Sequence, residues 1–78
     1  MINFYSEYYE KEITLDNEVQ ETLFDIYSKV ANTKGFEPEV NSPEEINNSD
    51  LYDHVAYHVE TFGSPYAGYR DIEYLFED

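Results

Sequence analysis

One stretch, Asn17 to Gly35, limits what this chain can become, because it carries an apolar face and an acidic face at helical spacing. Val19, Leu23, Ile26, Tyr27 and Val30 recur at i, i+4, i+7, i+8 and i+11. At about 100° per residue they fall in a sector of roughly 100°, the width of a single buried stripe. Glu18, Glu21 and Asp25 point the other way. Asp16 or Asn17 can cap the first turn by accepting a bond from a free backbone N–H. Gly35 can end the helix, since glycine adopts the left-handed conformation without a Cβ penalty. The spacing therefore predicts one amphipathic helix with a core side and a row of carboxylates.

The other segments are read around that helix. Residues 1–15 fit two patterns. Ile2, Phe4, Tyr5, Tyr8, Tyr9, Ile13 and Thr14 are β-formers, whereas Ile2, Tyr5, Tyr9 and Ile13 also lie at helical spacing. The reading leans to a strand or extended arm over Ile2–Tyr9. Residues 35–48 read as loop, punctuated by Pro38 and Pro43, with a single helical turn opened by Ser42 as cap and Pro43 at the first position. Residues 50–62 predict a second helix capped by Ser49. Its apolar stripe would be Leu51, Val55, His58, Val59 and Phe62, with Asp50, Asp53, Tyr57 and Glu60 opposite. Residues 65–78 read as a third helix from the Ser64-Pro65 start, with Tyr69, Ile72, Leu75 and Phe76 clustered on one side, and with a strand as the alternative. The expected fold is one small, mainly α domain over residues 1–78, of two to three amphipathic helices; with a short N-terminal strand it becomes α+β.

Charge decides which functions are excluded. The chain has 18 acids against 4 bases and a formal net charge of −14. Binding to nucleic acid or to an anionic membrane needs excess Lys and Arg, so both are excluded as direct partners. A mean hydropathy of −0.70 combined with that charge approaches the disordered class. Nine tyrosines and five phenylalanines pull it back, because disordered chains are poor in aromatics. There is no cysteine, hence no disulfide and no thiolate metal site. The opening MINFYSEYYEKE has neither the basic nor the apolar region of a secretory signal, and no run is long and apolar enough to span a membrane. The expected location is the cytoplasm of a bacterial host.

The acids carry the functional reading. A net charge of magnitude ~2–8 with mixed signs suffices to keep a small domain soluble. This chain exceeds that range and hardly mixes signs, so it accepts self-repulsion that solubility does not require. Carboxylates one helical turn apart, about 5–6 Å along the axis, are commensurate with phosphates on a nucleic-acid strand. The candidate contacts for a basic partner are Glu18, Glu21 and Asp25 on the first helix and Asp50, Asp53 and Glu60 on the second. Asp71, Glu73, Glu77 and Asp78 near the C-terminus follow. Tyr57 sits among the acids of the second helix, where its ring can stack on an arginine.

Histidine offers less. His54 and His58 stand at i and i+4, a metal-ligand spacing, but the position after His54 is Val55 and not the glutamate of a zincin. Both are read as core-edge residues, with no metal and no cofactor. No nucleophile motif or phosphate loop is present, and no enzyme activity is expected.

In size, density of negative charge and aromatic-rich acidic helices, the chain resembles the DNA-mimic inhibitors of phages and mobile elements, of the anti-CRISPR and anti-restriction type. The resemblance implies an inhibitor that occupies the basic DNA or RNA groove of a CRISPR effector or restriction complex. The alternative is an acidic antitoxin, immunity or adaptor protein that caps a basic partner without mimicry.

Overall fold

The computed structural model describes residues 1–77. Two antiparallel strands, β1 (Ile2–Ser6) and β2 (Lys11–Leu15), precede a long helix, α1 (Asn17–Lys34). A loop with one 3₁₀ turn at Pro43–Glu45 leads to α2 (Ser49–Phe62). A short helix, α3 (Tyr69–Ile72), runs into a second 3₁₀ turn at Glu73–Phe76. The fold is thus mixed α+β, which corrects the expectation of a mainly α domain and agrees with its α+β form. The reason lies in residues 7–10, which turn the chain so that β2 pairs back on β1, with Phe4 opposite Ile13 and Tyr5 opposite Glu12. Ile13 and Leu15 then point into the core while Glu12 and Thr14 face outward, the period-two alternation of a half-buried strand.

The first helix forms where its local signals place it. Asp16 Oδ1 accepts a 2.9 Å hydrogen bond from the Val19 N–H. Gly35 takes φ +79° and its N–H donates to the Ala31 carbonyl at 2.8 Å. Leu23, Ile26, Tyr27 and Val30 are buried, joined by Ala31 and by Gln20, whose side-chain amide donates to the Ile46 carbonyl. Val19 lies at the margin, half-buried. Full burial of each large aliphatic side chain stabilises by roughly 1.5–3 kcal/mol.

In α2 the cap is Asn48, not Ser49: its Oδ1 accepts from the Leu51 N–H at 3.0 Å. The buried stripe is Tyr52, Val55, Ala56 and Val59, rotated from the one expected. Leu51 and His58 are only half-buried and Phe62 is exposed. Tyr52 caused the rotation, because its ring, 0% exposed, fills the space between α2 and the sheet, edge-on to Phe4 at 5.3 Å. At the end of α2, a Cβ on Gly63 would stand 2.7 Å from Ile26 Cγ2 and 2.5 Å from the Val59 carbonyl oxygen. Glycine is what lets α1 and the end of α2 approach so closely.

The third helix is shorter than expected and starts at Tyr69 rather than Pro65. Residues 64–68 form turns instead. Ile72 and Leu75 still reach the core and Tyr69 and Phe76 pack against it, as their spacing predicted.

Candidate protein-binding surface

Each predicted contact residue is an acid or a tyrosine, and the fold sorts them by what their side chains already touch. Glu18, Glu21 and Asp25 lie exposed along the outer face of α1. Helix α3 packs beside that face. Asp71 shares a shallow cleft with Glu18, Asp16 and Thr22. An adjoining depression is lined by Glu21, Thr22, Phe24, Asp25 and Gly68. The sequence reading did not pair Asp71 with α1, yet the fold brings them to one surface. Among the described residues the side chains of Glu18, Glu21 and Asp71 make no hydrogen bond or ion pair. Asp25 differs, since Lys29 Nζ stands 3.1 Å from its Oδ2. Both side chains of that pair are about half exposed (47% and 60%), so its contribution to stability is small.

A second group gathers around α3 and the end of α2. Burial raises the pKa of the Tyr69 hydroxyl, and the nearby negative charges of Glu73, Glu60 and Glu77 raise it further. Three of the predicted acids thus face one phenol. Glu60 also accepts a 2.8 Å hydrogen bond from the Tyr9 hydroxyl. Burial and that bond push the Tyr9 pKa well above its ordinary value. Asp50 is exposed in the first turn of α2, where the helix dipole favours a negative charge. Asp78 lies outside the described residues.

Asp53 has a different role from the other acids. Its Oδ1 accepts from Ser6 Oγ at 2.6 Å, and its Oδ2 accepts from Ser49 Oγ at 3.0 Å and from the Tyr8 N–H at 3.2 Å. Ser6 Oγ in turn accepts from the Tyr9 N–H, and Ser49 Oγ from the Glu7 N–H. The half-buried carboxylate clamps the β1–β2 turn onto the first turns of α2. Sequence reasoning placed Asp53 on an open face because two of its three donors lie 45 and 47 residues away in the chain.

The clamp displays Tyr8, which the sequence reading left out, beside the predicted contact Tyr57. Tyr8 is 58% exposed and Tyr57 is 46% exposed, with ring centroids 6.1 Å apart and planes at 84°. Tyr8 also meets Tyr9 edge-on at 4.9 Å. The signal available was the run Ser6-Glu7-Tyr8-Tyr9-Glu10, aromatic residues between acids, but only the turn reveals that it lies against α2.

The histidines belong to the interior edge. The buried Tyr27 hydroxyl accepts from the Glu39 N–H at 3.0 Å and lies 2.7 Å from His54 Nε2. Glu39 Oε2, an acceptor, stands 3.3 Å from His54 Nδ1, which favours the proton on Nδ1 and leaves Nε2 to accept from the Tyr27 hydroxyl. Burial lowers the His54 pKa and the charge of His58 acts with it, while Glu39 opposes them. The His58 Nδ1–H donates to the His54 carbonyl at 2.8 Å. This chain of bonds ties α1, α2 and the loop between them.

No protein-family model matches the chain, and neither a curated protein sequence nor a solved structure matches it.

Proposed function

We propose that this protein is an acidic inhibitor that stands in for a nucleic-acid backbone and blocks the basic DNA or RNA groove of a bacterial defence protein, a CRISPR effector or a restriction complex. The observation that carries the reading is the row formed by Glu18 and Glu21 of α1 with Asp71 of α3. These carboxylates share one exposed face and, among the described residues, are not engaged by the fold itself. Acids free of internal partners keep their hydration only until a guanidinium or ammonium replaces it, as phosphates do. The net charge of −14 adds long-range attraction toward a basic groove.

A second reading, an antitoxin, immunity or adaptor protein that caps a basic partner without mimicry, draws support from Asp53, Glu60 and Asp25. Their internal partners interrupt any single acidic track.

A DNA-cleavage assay with CRISPR effectors and restriction complexes tests the first reading. The wild-type protein is expected to inhibit and to compete with DNA for one site. The triple variant Glu18→Gln, Glu21→Gln, Asp25→Gln is expected to fold yet inhibit at least tenfold more weakly, with a smaller gap at high salt, because screening already weakens binding to a basic groove. A folded triple variant that inhibits as well as wild type would sink the mimicry and leave the second reading.

A further inference from the structure

We propose that Tyr8, Tyr57 and Glu60 form a preorganised seat for an arginine side chain of the protein partner. The proposal rests on the reading that the partner is basic, and it names a contact on the α2 side of the molecule, away from the α1 row. Two rings stand half-exposed, edge to face at 6.1 Å, on a chain that carries 18 acids. The turn that carries Tyr8 is fixed by polar bonds, and the Tyr57 ring is packed edge-on against Tyr8 and His58. Asp53 holds the backbone of Tyr8, Ser6 Oγ holds that of Tyr9, and the Tyr9 hydroxyl is bonded to Glu60 Oε1. Glu10 completes the turn in the left-handed region at φ +54°, a conformation that non-glycine residues rarely adopt. A turn held this firmly presents its rings with little entropy left to lose on binding.

The chemistry of the rim selects the occupant. Glu60 follows Tyr57 by three residues, one helical turn along the same side of α2. Glu60 Oε1 accepts from Tyr9, and among the described residues Oε2 has no hydrogen-bond partner. A planar guanidinium can lie on a tyrosine face while its N–H groups reach that carboxylate. A lysine ammonium gains the charge but cannot stack. An apolar partner would leave Glu60 facing it without compensation, and a nucleic acid would be repelled.

Oligo-arginine and oligo-lysine peptides of equal length test the seat, with binding followed by NMR through the backbone amide signals of the β1–β2 turn and α2, which wild type and variants share. The wild type is expected to prefer arginine by roughly two- to five-fold, the range for a cation over an exposed ring. The Tyr8→Ala, Tyr57→Ala variant is expected to bind both peptides equally, and Tyr57→Phe to keep the preference. Should the double variant unfold, Tyr57→Ala alone carries the same expectation. Equal binding by wild type, or a preference that survives loss of the rings, would overturn the seat. The Glu18→Gln, Glu21→Gln, Asp25→Gln variant is expected to keep the arginine preference. Loss of inhibition there, with the preference intact, concerns the acidic row alone, and an inactive wild type with an intact preference concerns only the proposed function.

Discussion

Helices α1 and α2 both carry acids at helical spacing, and the two sets do opposite things. On α1, Glu18 and Glu21 face solvent and, among the described residues, their side chains make no hydrogen bond or ion pair. On α2, Asp53 accepts three hydrogen bonds from the β1–β2 turn and from Ser49. Its neighbour His54 joins Tyr27 and Glu39 in a second internal network. The difference comes from what packs alongside. The acid face of α1 meets only the short C-terminal segment at one margin, whereas the hairpin turn and the loop around Glu39 come down onto the polar side of α2. Identical residue types at identical spacing therefore say nothing about whether a carboxylate is free, until the elements above it are known.

The strongest test of that contrast is Asp53→Ala. It removes the acceptor for Ser6 Oγ, which is fully buried, and for the Tyr8 N–H. Hydrogen bonds to a charged group contribute more than neutral ones, and the loss is expected to be about 2–3 kcal/mol in urea melts. A loss under about 0.5 kcal/mol, the level of an ordinary surface substitution, would place Asp53 with the α1 acids.

A smaller effect is expected from acidification. The His54 pKa is lowered in the folded protein from an ordinary value of 6.5. The unfolded chain then takes up the proton first, so this contribution to stability is present above about pH 6.5 and is lost as pH falls below it. One group limits the slope to about 1.4 kcal/mol per pH unit. Protonated at Nε2, His54 would also leave the Tyr27 proton without its acceptor. Thermal melts on either side of pH 6.5 should show the loss, and Tyr27→Phe should reduce it. A wild type whose stability is flat across that window would remove His54 from the network's energetics.

The smallest effect belongs to α1. The triple change of Glu18, Glu21 and Asp25 to Gln is expected to alter stability by no more than about 0.5 kcal/mol. Relief of repulsion favours the variant. Loss of Glu18 from the first helical turn and of the exposed Asp25–Lys29 pair opposes it. Any gain should be largest at low salt, since screening acts within ~10 Å at 0.1 M. Thermal melts in a salt series check this, and a large destabilisation would show that the row serves the fold.

What the sequence made legible follows the range of the interactions. Both ends of α1 could be read because Asp16 and Gly35 act on neighbouring residues. The turn at Pro43 and the core positions Ile72 and Leu75 were legible for the same reason. The hairpin was not, because Glu7-Tyr8-Tyr9-Glu10 contains no glycine, asparagine or proline to announce a turn. The face of α2 was misjudged because Tyr52 was assigned to neither side; it lies fully buried, and among the described residues its hydroxyl has no hydrogen-bond partner. Gly68, in the left-handed region at φ +92°, places the start of α3 beyond the Ser64-Pro65 signal. The acids on α1 were recognisable as exposed, but their convergence with Asp71 needed the packing of α3 against α1.

The clamp at Asp53 also ties the hairpin to a distant part of the chain. Of the side chains that bond the backbone of the turn, Ser6 lies in β1, while Ser49 and Asp53 lie in α2, 42 and 45 residues from the groups they hold. Closing a loop of that length carries an entropic penalty before any bond rewards it. The turn between two strands adjacent in sequence is thus held in part from a helix some forty residues downstream, so a change that loosens the first turns of α2 is expected to loosen the hairpin as well.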